Sequence, residues 1–214
     1  MSKTQQQEKE ILAAFDFDGT LTTTDTLIAF IRFTHGRCRL FWGFLRHVHW
    51  LLMMRLGLYP NWKVKEKVFS HFYKGTKYET FTQWGHDFAD LAETMLNSQT
   101  VETLQQHLAE GHRVCVVSAS IEECVRPFCE RLGVRTLLAT RIEVSSEGLL
   151  TGRFLSSNCY GAHKVARLLE AFPFRQSYKL YAYGDSRGDK ELLAFADEAF
   201  RIKQHYFSKM RRLR

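Results

Sequence analysis

At 214 residues, with 45% hydrophobic and 25% charged residues and 3 prolines, the chain is long enough to bury a substantial core and too apolar for a disordered segment. Its formal charge of +7 attracts an anion, whether nucleic acid, anionic lipid or a small phosphorylated metabolite, and does not choose among them. Cys38, Cys115, Cys124, Cys129 and Cys159 form an odd set with no close CxxC pair, which favours reduced thiols over a disulfide framework or a zinc site.

Residues 1–10 are polar and lack the apolar core of a signal peptide, so a cytoplasmic location is expected. Residues 11–17 form a short apolar run that ends in acidic residues and a glycine, the pattern of a buried strand opening into a loop. From residue 23 to 97 the sequence is rich in aromatic, histidine and basic residues at helical spacing and carries no convincing strand, which predicts a helical insertion. Within it, residues 40–59 are strongly apolar but interrupted by Arg46, His47, His49 and Arg55. A membrane span needs roughly 20 largely uncharged residues, so a helix packed in the insertion is expected, or one lying on a bilayer surface.

Two further strands are predicted over 113–117, leading into Ser118-Ala119-Ser120, and over 179–183, leading into Gly184-Asp185-Ser186. Between them, residues 140–154 read as two short strands around Ser145-Ser146-Glu147-Gly148, a hairpin beside the main sheet. Helices are predicted over 122–132, 162–172 and 189–196. At the end, Lys209, Arg211, Arg212 and Arg214 follow Tyr206 and Phe207; this run reads as a solvated helix end or as a basic patch for a membrane surface or a nucleic acid. No recognised nucleic-acid motif is present, and no nucleic-acid partner is expected.

These elements predict an α/β fold, a doubly wound and mostly parallel sheet with a helical insertion after the first strand. The core would comprise residues 1–22 and 98–214 and the insertion residues 23–97. In such sheets ligands bind beyond the carboxyl ends of the strands, so the three polar loops should converge on one site.

The segment Asp16-Phe17-Asp18-Gly19-Thr20-Leu21-Thr22 carries the chemistry. Its two acids point differently, and Gly19 permits a sharp turn. One carboxylate can attack phosphorus and ligate a hard cation while the other exchanges a proton with the leaving group; taken alone, the pair also suits a turn or a helix cap.

This DxDGT segment resembles the haloacid dehalogenase superfamily, and further motifs follow in the expected order across most of the chain. The resemblance implies that Ser118 binds the transferring phosphoryl group, that Lys164 is the phosphate-binding lysine, and that Gly184-Asp185-Ser186-Arg187-Gly188-Asp189 completes a magnesium site. Asp16 would be the nucleophile of an aspartyl-phosphate mechanism and Asp18 the general acid and base. Magnesium would be held by Asp16, the Asp18 backbone carbonyl and Asp185, with Asp189 supporting the shell. A hydroxyl, an ammonium and a cation are what charge on a transferring phosphoryl group requires.

An insertion after the first motif resembles the cap of the phosphoserine phosphatase-like branch (subfamily IB), implying that residues 23–97 hold most of the substrate choice for a small phosphorylated compound such as phosphoserine or a relative. Two positions depart from that branch. Asp25 stands where those enzymes carry a glutamate, and Gly188 where they carry an asparagine; Asp25 is therefore a substrate-specificity candidate or simply a helix cap. Cys159-Tyr160-Gly161 ahead of Lys164, with Phe41, Trp42, Phe44 and Trp50, resembles a phosphatidylglycerophosphatase-like lipid phosphatase, which would touch a membrane surface through the insertion or the basic C-terminus. A non-catalytic module that binds a phosphorylated ligand is the contrasting expectation.

Overall fold

The computed structural model describes residues 9–155, 159–203 and 206–209. Their elements follow as β1 (Glu10–Phe15), α1 (Thr26–Arg55), α2 (Asn61–Tyr73), α3 (Tyr78–Leu91), α4 (Ser98–Ala109), β2 (Arg113–Ile121), α5 (Glu122–Arg131), β3 (Thr136–Thr140), β4 (Ile142–Val144), β5 (Leu150–Phe154), α6 (Ala162–Ala171), β6 (Tyr178–Gly184), α7 (Lys190–Phe195), β7 (Glu198–Lys203) and β8 (Tyr206–Lys209). The main sheet has the order β3-β2-β1-β6-β7-β8. Neighbours from β3 to β7 run parallel, and β8 joins the edge antiparallel.

Strand alternation divides the interior into two cores. Ala13 and Phe15 of β1 with Val114 and Val116 of β2 face one layer, whereas Leu12, Ala14, Cys115 and Val117 face the other. Leu104 of α4 with Val125 and Phe128 of α5 cover the first face. Leu168 of α6 and Leu192 and Leu193 of α7 cover the second, so the sheet is wound on both sides as expected.

The insertion extends the first core. Phe30 of α1 packs its ring against Tyr73 of α2 and against Phe81 and Phe88 of α3, and Phe88 meets Phe128 of α5. Gly85 lets α3 approach α5 closely, because a Cβ there would strike the Glu123 carbonyl oxygen. Gly36 interrupts α1 with φ 78° and ψ 169°, a conformation that side chains strongly oppose. The apolar stretch beyond it is helical to Arg55. Among the described residues no helix is long and apolar enough to cross a membrane.

β4 and β5 form the predicted hairpin as a separate sheet. It joins the insertion: Gly75 N donates to Leu150 O at 2.8 Å, Tyr78 N to Gly148 O at 2.9 Å, and Phe154 N to Glu66 Oε2 at 2.8 Å.

Three sequence expectations are corrected. The first strand stops at Phe15, because the chain begins its turn at Phe17. β2 continues to Ile121, with a register irregularity after Val117 that keeps Ser118 to Ser120 inside the strand. Residues 206–209 are strand rather than helix end, since their backbone pairs with the otherwise open edge of β7. β3 and β7, two strands not anticipated, complete the sheet. The basic Arg211, Arg212 and Arg214 and the stretch 1–8 lie outside the described residues. All five cysteines are free, with Cys38 exposed and the others buried.

Candidate active site

Phe15 of β1 pairs with Val116 on one side and with Tyr183 on the other. In parallel strands that register brings the carboxyl ends level, so the residues that follow emerge on one rim. Asp16 continues extended, at φ −67° and ψ 163°, before the chain turns through Gly19 at φ 77°. A Cβ at Gly19 would collide with the Asp185 carboxylate. Glycine here permits both the positive φ and the contact between the first and third loops.

The buried residues of this rim form one connected polar group. Lys164, in the first turn of α6, is only 2% exposed. Its Nζ donates to Asp16 Oδ1 and, at 2.6 Å, to Asp189 Oδ1. Asp16 Oδ2 accepts from Thr20 Oγ1 at 3.1 Å. Asp189 Oδ2 accepts from Ser186 N at 3.0 Å and Ser186 Oγ at 2.8 Å, which leaves both Asp189 oxygens engaged. Burial lifts the Asp16 carboxyl above its ordinary range, and the Lys164 ammonium opposes that lift. Burial works against the Lys164 charge, yet Asp16 and Asp189 together hold its ammonium above the usual lysine range.

Asp185 differs from Asp189 in having an open ligand atom. Its Oδ1 is buried without a hydrogen-bond partner, and burial, followed by the Asp189 charge, pushes the carboxyl up to about 6. Oxygens of Asp16, Asp185 and Asp189 lie within 4.8 Å of one another. Three carboxylates against one ammonium leave a formal −2, so the donor set suits a hard divalent cation.

Asp18 is held apart from this group. Its Oδ1 accepts from Thr26 N, the first amide of α1, at 2.7 Å, and its Oδ2 accepts from Ser120 Oγ. Burial raises its carboxyl, with Asp25 adding to the rise and Lys65 opposing it. Ser118 is buried in β2, where its Oγ accepts from Ser120 N at 3.0 Å. Asp25 is exposed and caps α1, accepting from Ile28 N at 3.1 Å.

Thus Asp16, Lys164, Asp185 and Asp189 meet, Asp18 stands beside them on separate partners, and Asp25 lies just outside. Sequence reasoning assigned no part to Thr20, Ser120 or Lys65. Thr20 and Ser120 stood inside the motifs and were findable as hydroxyls beside acids; Lys65 had no local signal. Gly188 also gains a reason. A side chain there would run into the Tyr160 ring, whose nearest carbon would lie 2.6 Å from its Cβ, and Gly161 N donates to Gly188 O at 2.9 Å.

The profile of the haloacid dehalogenase-like hydrolases matches residues 13–194. Protein CicA of Caulobacter vibrioides is 35% identical over 190 residues, spanning 88% of this chain and 84% of that protein. A histidinol-phosphatase of Neisseria meningitidis is 31% identical over 100 residues, spanning 44% of this chain and 45% of its own. Among solved structures, a protein of unknown function from Bordetella pertussis Tohama I superposes with a TM-score of 0.76 at 24% identity, covering 87% of this chain and 86% of its own. A phosphoserine phosphatase solved as a phospho-aspartyl intermediate analogue superposes with a TM-score of 0.58 at 21% identity, covering 89% and 84%. The last two likenesses establish the fold.

Proposed function

Because the chain belongs to the haloacid dehalogenase-like hydrolase family, we propose that it hydrolyses phosphomonoesters with magnesium and that Asp16 is the nucleophile that becomes an aspartyl phosphate. One observation carries this reading: the Asp16 carboxylate is fixed between a buried ammonium and an acid with an unpartnered oxygen, while Asp18 is held separately.

An Asp16 oxygen attacks phosphorus as the bond to the leaving oxygen breaks. Asp18, whose carboxyl is raised by burial, gives a proton to that oxygen and afterwards takes one from the water that hydrolyses the acyl phosphate. Lys164 and the Ser118 hydroxyl compensate charge on the phosphoryl oxygens. Magnesium would be held by Asp16, the Asp18 backbone carbonyl and Asp185, where it supplies positive charge against the phosphoryl group. Asp189 positions Lys164 and supports the metal shell, directly or through water. Residues 23–97 act as a cap that excludes water and contacts the leaving group.

The substrate on this reading is a small phosphorylated metabolite such as phosphoserine or a relative, with Asp25 at the leaving group. An apolar cleft favours a second reading, a phosphatidylglycerophosphatase-like activity. It encloses about 300 Å³ between α1 and α2, lined by Leu27, Ile28, Phe44, Leu51, Met54 and Val68, with Asp25 and Lys65 also on its wall. Asp25, on its wall, immediately precedes the residue whose amide holds Asp18, which sets this cleft beside the proposed acid.

The test is hydrolysis of an aryl phosphate with and without magnesium, by the native chain and by Asp16→Asn. Metal-dependent turnover that the substitution abolishes supports the enzyme; retained turnover in Asp16→Asn refutes the nucleophile. Phosphate binding without any turnover would instead favour a non-catalytic module. Comparing phosphoserine with a single-chain lysophospholipid phosphate separates the two substrate readings.

A further inference from the structure

The part of α1 beyond Gly36 is apolar on two sides, and only one of them is packed. Gly43, Phe44, Trp50, Leu51 and Met54 turn toward the rest of the insertion and are buried or half-buried. Phe41, Leu45, Val48 and Leu52 are spaced by four, three and four residues, which places them on one helical stripe. All four are exposed, Phe41 to 62% and Leu52 to 57%, and Trp42 beside them is 65% exposed. Leu56, Leu58 and Trp62 carry the exposed apolar surface past the helix end. Monomeric soluble domains rarely leave so continuous an apolar surface uncovered.

The charges around this stripe are of one sign. Residues 26–65 contain Arg32, Arg37, Arg39, Arg46, Arg55, Lys63 and Lys65 and no aspartate or glutamate. Arg37 and Arg55 flank the stripe at its two ends and are exposed. A groove of about 690 Å³ runs alongside, lined by His35, Arg39, Trp42, Arg46 and His71 among others. Arg37, Arg39, Arg46 and Arg55, with no acid between residues 26 and 65, would repel a second copy of the same face, and they complement a surface that is both apolar beneath and anionic above.

We propose that the outer face of α1, from Arg37 to Arg55, docks on the surface of an anionic phospholipid bilayer, with Phe41, Leu45, Val48 and Leu52 in the acyl boundary and the arginines among the headgroup phosphates. The helix lies in the plane of the interface and does not span, because 19 residues rise only about 28 Å and charges stand at both ends and at Arg46. The long arginine stems suit this placement, since they reach upward to phosphates while the apolar side chains go down. Neither the nucleophile nor its partners enter the argument, so the docking stands independently of the proposed chemistry.

The experiment is flotation of the full chain with vesicles of phosphatidylcholine alone and of phosphatidylcholine containing phosphatidylglycerol, at low and high salt. The native chain should float with the anionic vesicles and release as salt rises. Phe41→Ser/Leu45→Ser/Leu52→Ser should lower vesicle affinity by tenfold or more, and Arg37→Gln/Arg55→Gln by about fivefold for each cation removed. These side chains are exposed, and circular dichroism with hydrolysis of a soluble aryl phosphate checks that each variant is folded. Three results would overturn the proposal: no binding to anionic vesicles at low salt, equal binding to phosphatidylcholine alone, or unchanged binding by the stripe variant. A concentration-dependent dimer that the stripe variant abolishes, with no vesicle binding by the native chain, would assign the face to a second copy instead.

Discussion

The hydroxyl of Ser120 donates to Asp18 Oδ2 across 102 positions of sequence, while the first amide of α1 holds the other oxygen. The proposed general acid is thus gripped from one side by a core strand and from the other by the insertion. A carboxyl oriented in this way should respond to loss of either grip.

Ser120→Ala is expected to lower kcat by about tenfold with little change in KM, and Asp18→Asn by about 10²–10⁴. Alkyl phosphates should suffer more than aryl phosphates, whose leaving oxygen needs less protonation. Steady-state kinetics on one substrate of each kind checks this, and equal losses on both would place Asp18 outside leaving-group chemistry.

Lys164→Met leaves Asp16 and Asp189 buried beside each other without their shared cation. Breaking a buried pair in this way costs about 3–5 kcal/mol. The loss should shrink at acid pH, where the two carboxyls protonate. Urea unfolding of native and variant chains at neutral and acid pH measures both quantities, and a variant as stable as the native chain at neutral pH contradicts the assigned charges.

Metal and pH are linked through Asp185. Its carboxyl is raised to about 6 in the folded chain against an ordinary value of about 3.9, so the folded state prefers the neutral acid. The corresponding stability is fully present below the ordinary value and is lost as pH rises through about 6. Without metal, Tm should therefore decline across that window, and magnesium should raise Tm more at neutral than at acid pH. Asp185→Asn should lessen the decline, the remainder belonging to the raised Asp16 carboxyl, and remove the magnesium effect; thermal melts with magnesium or with a chelator decide the matter.

Gly85 fixes how closely α3 approaches α5. Gly85→Ala sets a methyl against the Glu123 carbonyl oxygen, and backbone cannot yield as a flexible side chain does. The expected cost is about 1–3 kcal/mol, seen as a lower urea midpoint, while the buried site around Lys164 keeps its own contacts. An unchanged midpoint would mean that the insertion and α5 are not rigidly packed.

By itself the sequence determined the sheet type, the helical insertion and the acids of the rim, because a period of two, a glycine after paired acids and apolar runs bounded by polar loops are local signals. Lys164 and Asp185 were legible through the order of motifs that the chain shares with the haloacid dehalogenase-like family; alone, they would pass for a helix lysine and a turn acid. What the tertiary structure decided concerns pairs distant in the chain. Lys164, reaching from α6, completes the engagement of Asp189, whose other oxygen is held locally by Ser186, while Asp185 Oδ1 keeps no partner; the neighbouring of β1 and β2 brought Ser120 to Asp18. The ring of Tyr160 explained Gly188. Residues 206–209 were misread as a helix end because edge pairing with β7 depends on a strand that local pattern had not revealed. The two apolar sides of α1 looked alike as sequence; only packing against α2 and α3 determined which was core and which was left facing outward.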